Sequence, residues 1–152
     1  QGMIRVPFIW SDPDGQRAKT TSSLGQTIDI SSTVLDRANI KPYWGLQGTS
    51  VLGDISGHDV TDRESILIED DRQRINLGFT RFQKIRTLIT KQYRCTLGYP
   101  DVRDEIYDLK ADPGELNNLW NTEPELRAKL TDQLTRMILE YQDPTPIATS
   151  VA

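Results

Sequence analysis

The sequence predicts an α+β fold, a four-stranded antiparallel sheet covered by a C-terminal helix, and three observations predict it. Apolar runs of strand length at 65–69, 85–89, 93–97 and 105–109 follow one another with no helical pattern between them, as in a meander. Leu126, Leu130, Leu134, Met137, Ile138 and Tyr141 then recur at spacings of three and four, the stripe of a helix lying across a sheet. Between them, Asp112-Pro113-Gly114 halts an extended chain: Pro113 presets φ, and Gly114 is free to take a positive φ. Ile106 to Trp120 therefore joins sheet to helix, with Leu116, Leu119 and Trp120 expected to press inward over one or two short helical turns.

Taken in order, Met3 to Trp10 is almost continuously apolar, the pattern of a strand buried on both faces. Pro7 puts it at an edge, a bulge or a strand end. No partner for it follows in the next fifty or so residues, so its neighbours are expected in a missing N-terminal portion of a larger α/β protein. A polar stretch reaches Gln26, and Asp29 is the expected N-cap of a short helix with Ile30, Val34, Leu35 and Ala38 on one face, ending near Asn39. From Tyr43 to Gly57, glycines punctuate isolated apolar residues, which reads as a packed, irregular connector. Asp70 to Lys84 reads as a long polar loop between strands. The closing helix carries a Thr122-x-x-Glu125 capping box with Pro124 in its first turn, and the tail beyond Pro146 reads as frayed.

With 152 residues, 36% hydrophobic and 26% charged, the chain has the composition of a globular protein with a real core. A net charge of −4 argues against nucleic acid as a partner, and no apolar run has the length to span a membrane.

Several stretches taken together resemble, in order, the C-terminal part of a sulfatase of the alkaline phosphatase superfamily. They are Gly2-Met3-Ile4-Arg5-Val6-Pro7-Phe8-Ile9, Ile28-Asp29-Ile30-Ser31-Ser32-Thr33-Val34-Leu35-Asp36, Gly45-Leu46-Gln47-Gly48-Thr49-Ser50 and Arg86-Thr87-Leu88, then Tyr107-Asp108-Leu109, Asp112-Pro113-Gly114-Glu115 and Asn117-Asn118-Leu119. Each is weak alone; their order is what identifies the family. The resemblance implies a parent enzyme that hydrolyses sulfate esters, with a formylglycine nucleophile beside a calcium ion. It also implies a division into residues 1–57, the strand and short helix that close a larger α/β domain, residues 58–146, the small antiparallel sheet with its helix, and a tail at 147–152. A phosphonate monoester or phosphodiester hydrolase of the superfamily is the near alternative, and a free-standing binding module the distant one.

None of the implied catalytic parts is in this chain. Cys95 is followed by Thr96-Leu97-Gly98-Tyr99 and so lacks the Pro or Ala and the Arg of the family's Cys-x-Pro/Ala-x-Arg motif. It reads as a buried thiol. No catalytic residue, cofactor or metal ligand is therefore assigned; calcium and formylglycine are expected only in the parent. His58 has no second ligand at useful spacing, Asp70-Asp71 lacks calcium-loop spacing, and Arg5 is expected to anchor a strand. The candidate substrate-binding residues are Arg72, Arg74, Arg81 and Lys84, in a loop long enough to reach the rim of a pocket holding an anionic sulfate ester. The expected partner is the missing N-terminal catalytic domain of the same chain.

Overall fold

Four strands pair in chain order into one antiparallel sheet in the computed structural model, which describes residues 4–12, 20–56, 63–72, 82–100 and 102–141, with Arg72 described by its backbone alone. They are β1 (Ser65–Arg72), β2 (Gln83–Thr90), β3 (Tyr93–Tyr99) and β4 (Glu105–Asp108). The register places Leu67, Leu88, Cys95 and Ile106 in one row across the sheet. Paired residues share a face, so this row is the floor of the core. Helix α3 (Pro124–Glu140) closes it with Leu130, Leu134 and Met137, while Leu119, Trp120, Leu126, Ile138 and Tyr141 pack around them. The helical stripe and the meander predicted from the sequence are both formed.

Several local expectations are corrected. The capping box is absent: Glu123 is the N-cap and makes no side-chain cap bond, and the Thr122 hydroxyl donates back to the Leu119 carbonyl at 3.3 Å. Pro124 does occupy the first turn, where its missing N–H is harmless. The positive φ of the turn falls on Glu115 (φ 55°) and not on Gly114, and Leu116 points outward at 84% exposure. Strand β1 runs on through Asp70 and Asp71 to Arg72, and β2 begins at Gln83, so Lys84 is a strand residue rather than a loop residue.

The segment that follows β4 acts as a substitute strand. Asn118 Oδ1 accepts from the Ile106 and Trp120 amides, each at 3.0 Å, its Nδ2 donates to the Asp104 carbonyl at 3.1 Å, and the Leu119 amide donates to the Ile106 carbonyl at 2.8 Å. These bonds occupy backbone groups that an edge strand would otherwise leave open. Asn117-Asn118-Leu119 thus does structural work.

The chain divides into two compact units, Gln1–Asp62 and Arg63–Ala152, and the sheet with α3 belongs to the second. In the first, α1 (Asp29–Arg37) is followed by a short helix, α2 (Leu52–Ser56), within the stretch read as an irregular connector. Helix α1 is reversed relative to expectation. Asp29, Ser32 and Thr33 are its buried residues, while Ile30 and Val34, one turn apart, are exposed. Asp29 is not the N-cap, which is Ile28; its carboxylate accepts the Thr49 amide at 2.9 Å and the Gln26 amide at 2.7 Å. Thr33 accepts the Val51 amide at 3.1 Å and Ser32 donates to the Gly48 carbonyl at 2.7 Å. Irregular backbone buried at 47–51 needs partners, and polar side chains on the inner face of α1 supply them.

Residues 5–10 form no strand. Val6, Phe8 and Ile9 are exposed, Ile9 at 87%, and Arg5 is exposed as well. A strand needs a neighbour for its backbone groups, and these residues find none among the described ones.

Candidate functional site

Of the four candidate substrate-binding residues, Lys84 is the one whose side chain is described. Arg72 ends β1, its side chain outside the described residues, and Arg74, Arg81 and His58 lie outside them altogether. Lys84 is exposed near the start of β2, paired with Asp71 on β1 and Tyr99 on β3. These three share the helix-covered face of the sheet but stand two rows beyond the core row, at the end of the sheet where the connection at 73–82 leaves and returns.

The intervening row holds Glu69, Arg86 and Leu97. Arg86 reaches Glu69 at 2.7 Å and Asp71 at 2.6 Å, taking the two acids that β1 sets on this face. The hydrogen bond from Arg86 holds the Asp71 carboxyl below its ordinary value, and the same bond raises the guanidinium. No hydrogen bond or ion pair engages the Lys84 ammonium among the described residues, although it adds to the field on Asp71. A cation so placed is available to an anion from outside.

On the opposite face, Arg94 is a hub. It meets Glu115 at 3.0 and 3.2 Å through two nitrogens, Glu105 at 3.2 Å and the Thr96 hydroxyl at 3.1 Å, and lies 4.8 Å over the Tyr107 ring. With four of its five N–H groups committed, Arg94 is a brace rather than a binding group. Neither arginine stood out in the sequence as a hub. The signal that could have found Arg86 was the register, which sets it opposite Glu69.

Cys95 has no exposed surface, and burial pushes its thiol up to about 11. A thiol kept protonated is a poor nucleophile, which agrees with the motif residues it lacks. Among the described residues no group of three or more His, Cys, Asp or Glu side chains is placed to hold a metal ion, and no helix is long and apolar enough to cross a membrane.

The fold so defined is that of a sheet-and-helix module of the sulfatase class. The family model described as N-sulphoglucosamine sulphohydrolase, C-terminal, matches residues 1–143, and the chain belongs to that family. It is 27% identical over 145 residues to the uncharacterized sulfatase YidJ of Escherichia coli (strain K12), covering 93% of this chain and 28% of that protein. It is also 27% identical over 143 residues to an N-acetylglucosamine-6-O-sulfatase of Bacteroides thetaiotaomicron, covering 91% of this chain and 25% of the relative. A phosphonate monoester hydrolase from Silicibacter pomeroyi has the same fold over 89% of this chain and 29% of its own, with a TM-score of 0.75 at 18% identity. The chain therefore spans about a quarter of the length of the curated relatives it matches.

Proposed function

We propose that this chain is the C-terminal part of a sulfatase that acts on a sulfated sugar, and that it completes the fold and shapes one side of the pocket without supplying the reacting groups. The observation that carries this reading is the family match across residues 1–143, and the two curated relatives, both sulfatases, support it. In the resembling family a formylglycine hydrate attacks sulfur beside a calcium ion, the metal acting as Lewis acid and template. Those groups are proposed to lie in a catalytic domain N-terminal to this chain, since Cys95 lacks the motif and is buried.

The proposed partner surface is the outward side of α1 together with the segment before it. Ile30 and Val34 on the helix, and Val6, Phe8 and Ile9 ahead of it, are apolar and exposed, and a soluble surface rarely leaves so many large apolar side chains uncovered. This favours a catalytic domain of the same polypeptide as cover over a free-standing binding module. Arg72, Arg74, Arg81 and Lys84 then serve as the rim that meets the anionic substrate.

The test is to assay the full-length protein, beside the isolated 152 residues, on an aryl sulfate, on N-acetylglucosamine 6-sulfate and on a phosphonate monoester. The expected result is sulfate release by the full-length protein and none by the isolated chain. The shared fold of the phosphonate monoester hydrolase makes phosphonate the second reading, and preference for it would replace the first. Alanine at each of the four rim residues should raise KM; four unchanged values of KM and kcat/KM would sink the rim.

A further inference from the structure

The row that holds Lys84 ends on Tyr99, which is 71% exposed, and Phe82, two residues before Lys84, is 64% exposed. Two large aromatic side chains are thus exposed next to Lys84, Phe82 along the chain from it and Tyr99 across the sheet from it, and among the described residues no ion pair engages the lysine itself. Cross-strand neighbours stand about 5 Å apart at Cβ, so the Lys84 ammonium and the Tyr99 ring can touch the same small ligand. The two acids that β1 sets on this face, Glu69 and Asp71, are taken by Arg86, so exposed Lys84 stands beside an acid already paired.

We infer that Phe82, Lys84 and Tyr99 form a subsite for one sulfated sugar residue, with the aromatic rings stacking on the apolar C–H face of the pyranose and the lysine meeting its sulfate. The inference rests on the reading of the substrate as a sulfated sugar and adds to it two contacts that charge alone does not suggest. Pyranose rings offer a C–H face edged by hydroxyl groups, and an aromatic side chain with a polar neighbour matches that pattern. A sulfate placed at Lys84 gains a charge-assisted hydrogen bond and, among the described residues, displaces no ion pair.

The experiment is equilibrium binding of a heparin-derived tetrasaccharide, and of the same tetrasaccharide after chemical desulfation, to the full-length protein. Wild type should bind the sulfated form more tightly. Phe82→Ala and Tyr99→Ala should each weaken both forms by roughly 5-fold, in the range of a single aromatic contact, while Tyr99→Phe keeps most of the affinity. Lys84→Gln should narrow the gap between the two forms and reduce the salt dependence of binding by about one charge. Circular dichroism establishes that each variant is folded. Folded variants that bind the sulfated tetrasaccharide as wild type does would overturn the subsite. Release of sulfate from an aryl sulfate by the wild-type protein is scored separately, so loss of the sulfatase reading and loss of the subsite are distinguishable.

Discussion

Arg94 on β3 holds Glu115, twenty-one residues on, through a fork of two contacts at 3.0 and 3.2 Å, and Glu115 adopts a left-handed φ of 55° to receive it. A non-glycine residue at positive φ is disfavoured, and here the ion pair offsets that cost. The Arg94 side chain is 15% exposed and that of Glu115 11%, so the pair is shielded from solvent screening. Arg94→Ala should lower stability by about 2–4 kcal/mol, because it leaves two carboxylates facing a largely buried space. Arg94→Lys should recover only part, having a point charge in place of a fork. Urea unfolding checks both, and an Arg94→Ala midpoint equal to wild type would remove the brace from the account.

Asn118 closes the outer edge of β4. Asn118→Ala leaves the amides of Ile106 and Trp120 without their acceptor, at a cost of about 1–3 kcal/mol. The local signature is faster hydrogen exchange at the Ile106 amide, while the Leu88 amide in the sheet centre changes only by the global destabilisation. Unchanged exchange at Ile106 would count against the substitute strand.

Gly48 lies against α1. A Cβ there would meet the Ile28 carbonyl oxygen at 2.1 Å, a backbone atom that cannot swing aside. Gly48→Ala should therefore destabilise the first unit by about 1–3 kcal/mol through forced backbone movement. Limited proteolysis between 20 and 56 should accelerate; wild-type resistance would show that the helix can shift.

Cys95 should resist a water-soluble disulfide reagent at pH 8 in the native protein and react fully in denaturant. Its folded pKa, about 11, lies above the ordinary 9.0 because burial disfavours the thiolate. The unfolded chain releases this proton first, so its contribution to stability is intact below pH 9 and declines between 9 and about 11, at roughly 1.4 kcal/mol per pH unit. Cys95→Ser should flatten that alkaline limb, and native reactivity at pH 8 would contradict the burial.

At the acid end the sign reverses. Backbone bonds from Ala111 lead in holding the Asp108 carboxyl below 3.8, followed by the Gln92 side chain. A depressed folded pKa gives stabilisation that is complete above the unfolded value and is lost as pH falls through the folded one. Asp108→Asn should make the acid limb of a stability profile shallower below about pH 4. A limb of wild-type slope would assign acid unfolding to other groups, such as Asp71, which Arg86 lowers in the same way.

The sheet and its helix were legible because periodicity reports burial directly. Leu67, Leu88, Cys95 and Ile106 each sit in a run of strand length, and Leu130, Leu134 and Met137 recur at helical spacing. Helix α1 misled for the same reason: Ile30, Val34 and Leu35 look like a core face, yet Asp29, Ser32 and Thr33 are the buried residues because the loop beside them needs acceptors and donors. Of the candidate site, Lys84 could be named from sequence, but its neighbours could not. Phe82 and Tyr99 are ordinary aromatic residues until strand pairing sets Tyr99 beside Lys84.

By itself the sequence determined the α+β class, the helix from Pro124, the buried state of Cys95 and the sulfatase family, since each is written in local spacing or in ordered short motifs. Only the tertiary structure decided which face of α1 turns inward, that Glu115 rather than Gly114 takes the positive φ, and that Arg86 and Arg94 are held in ion pairs while Lys84 has none among the described residues. The physical reason is the same in each case. Hydrogen bonds and ion pairs join residues far apart in the chain, and no local pattern states which partner a polar group will find.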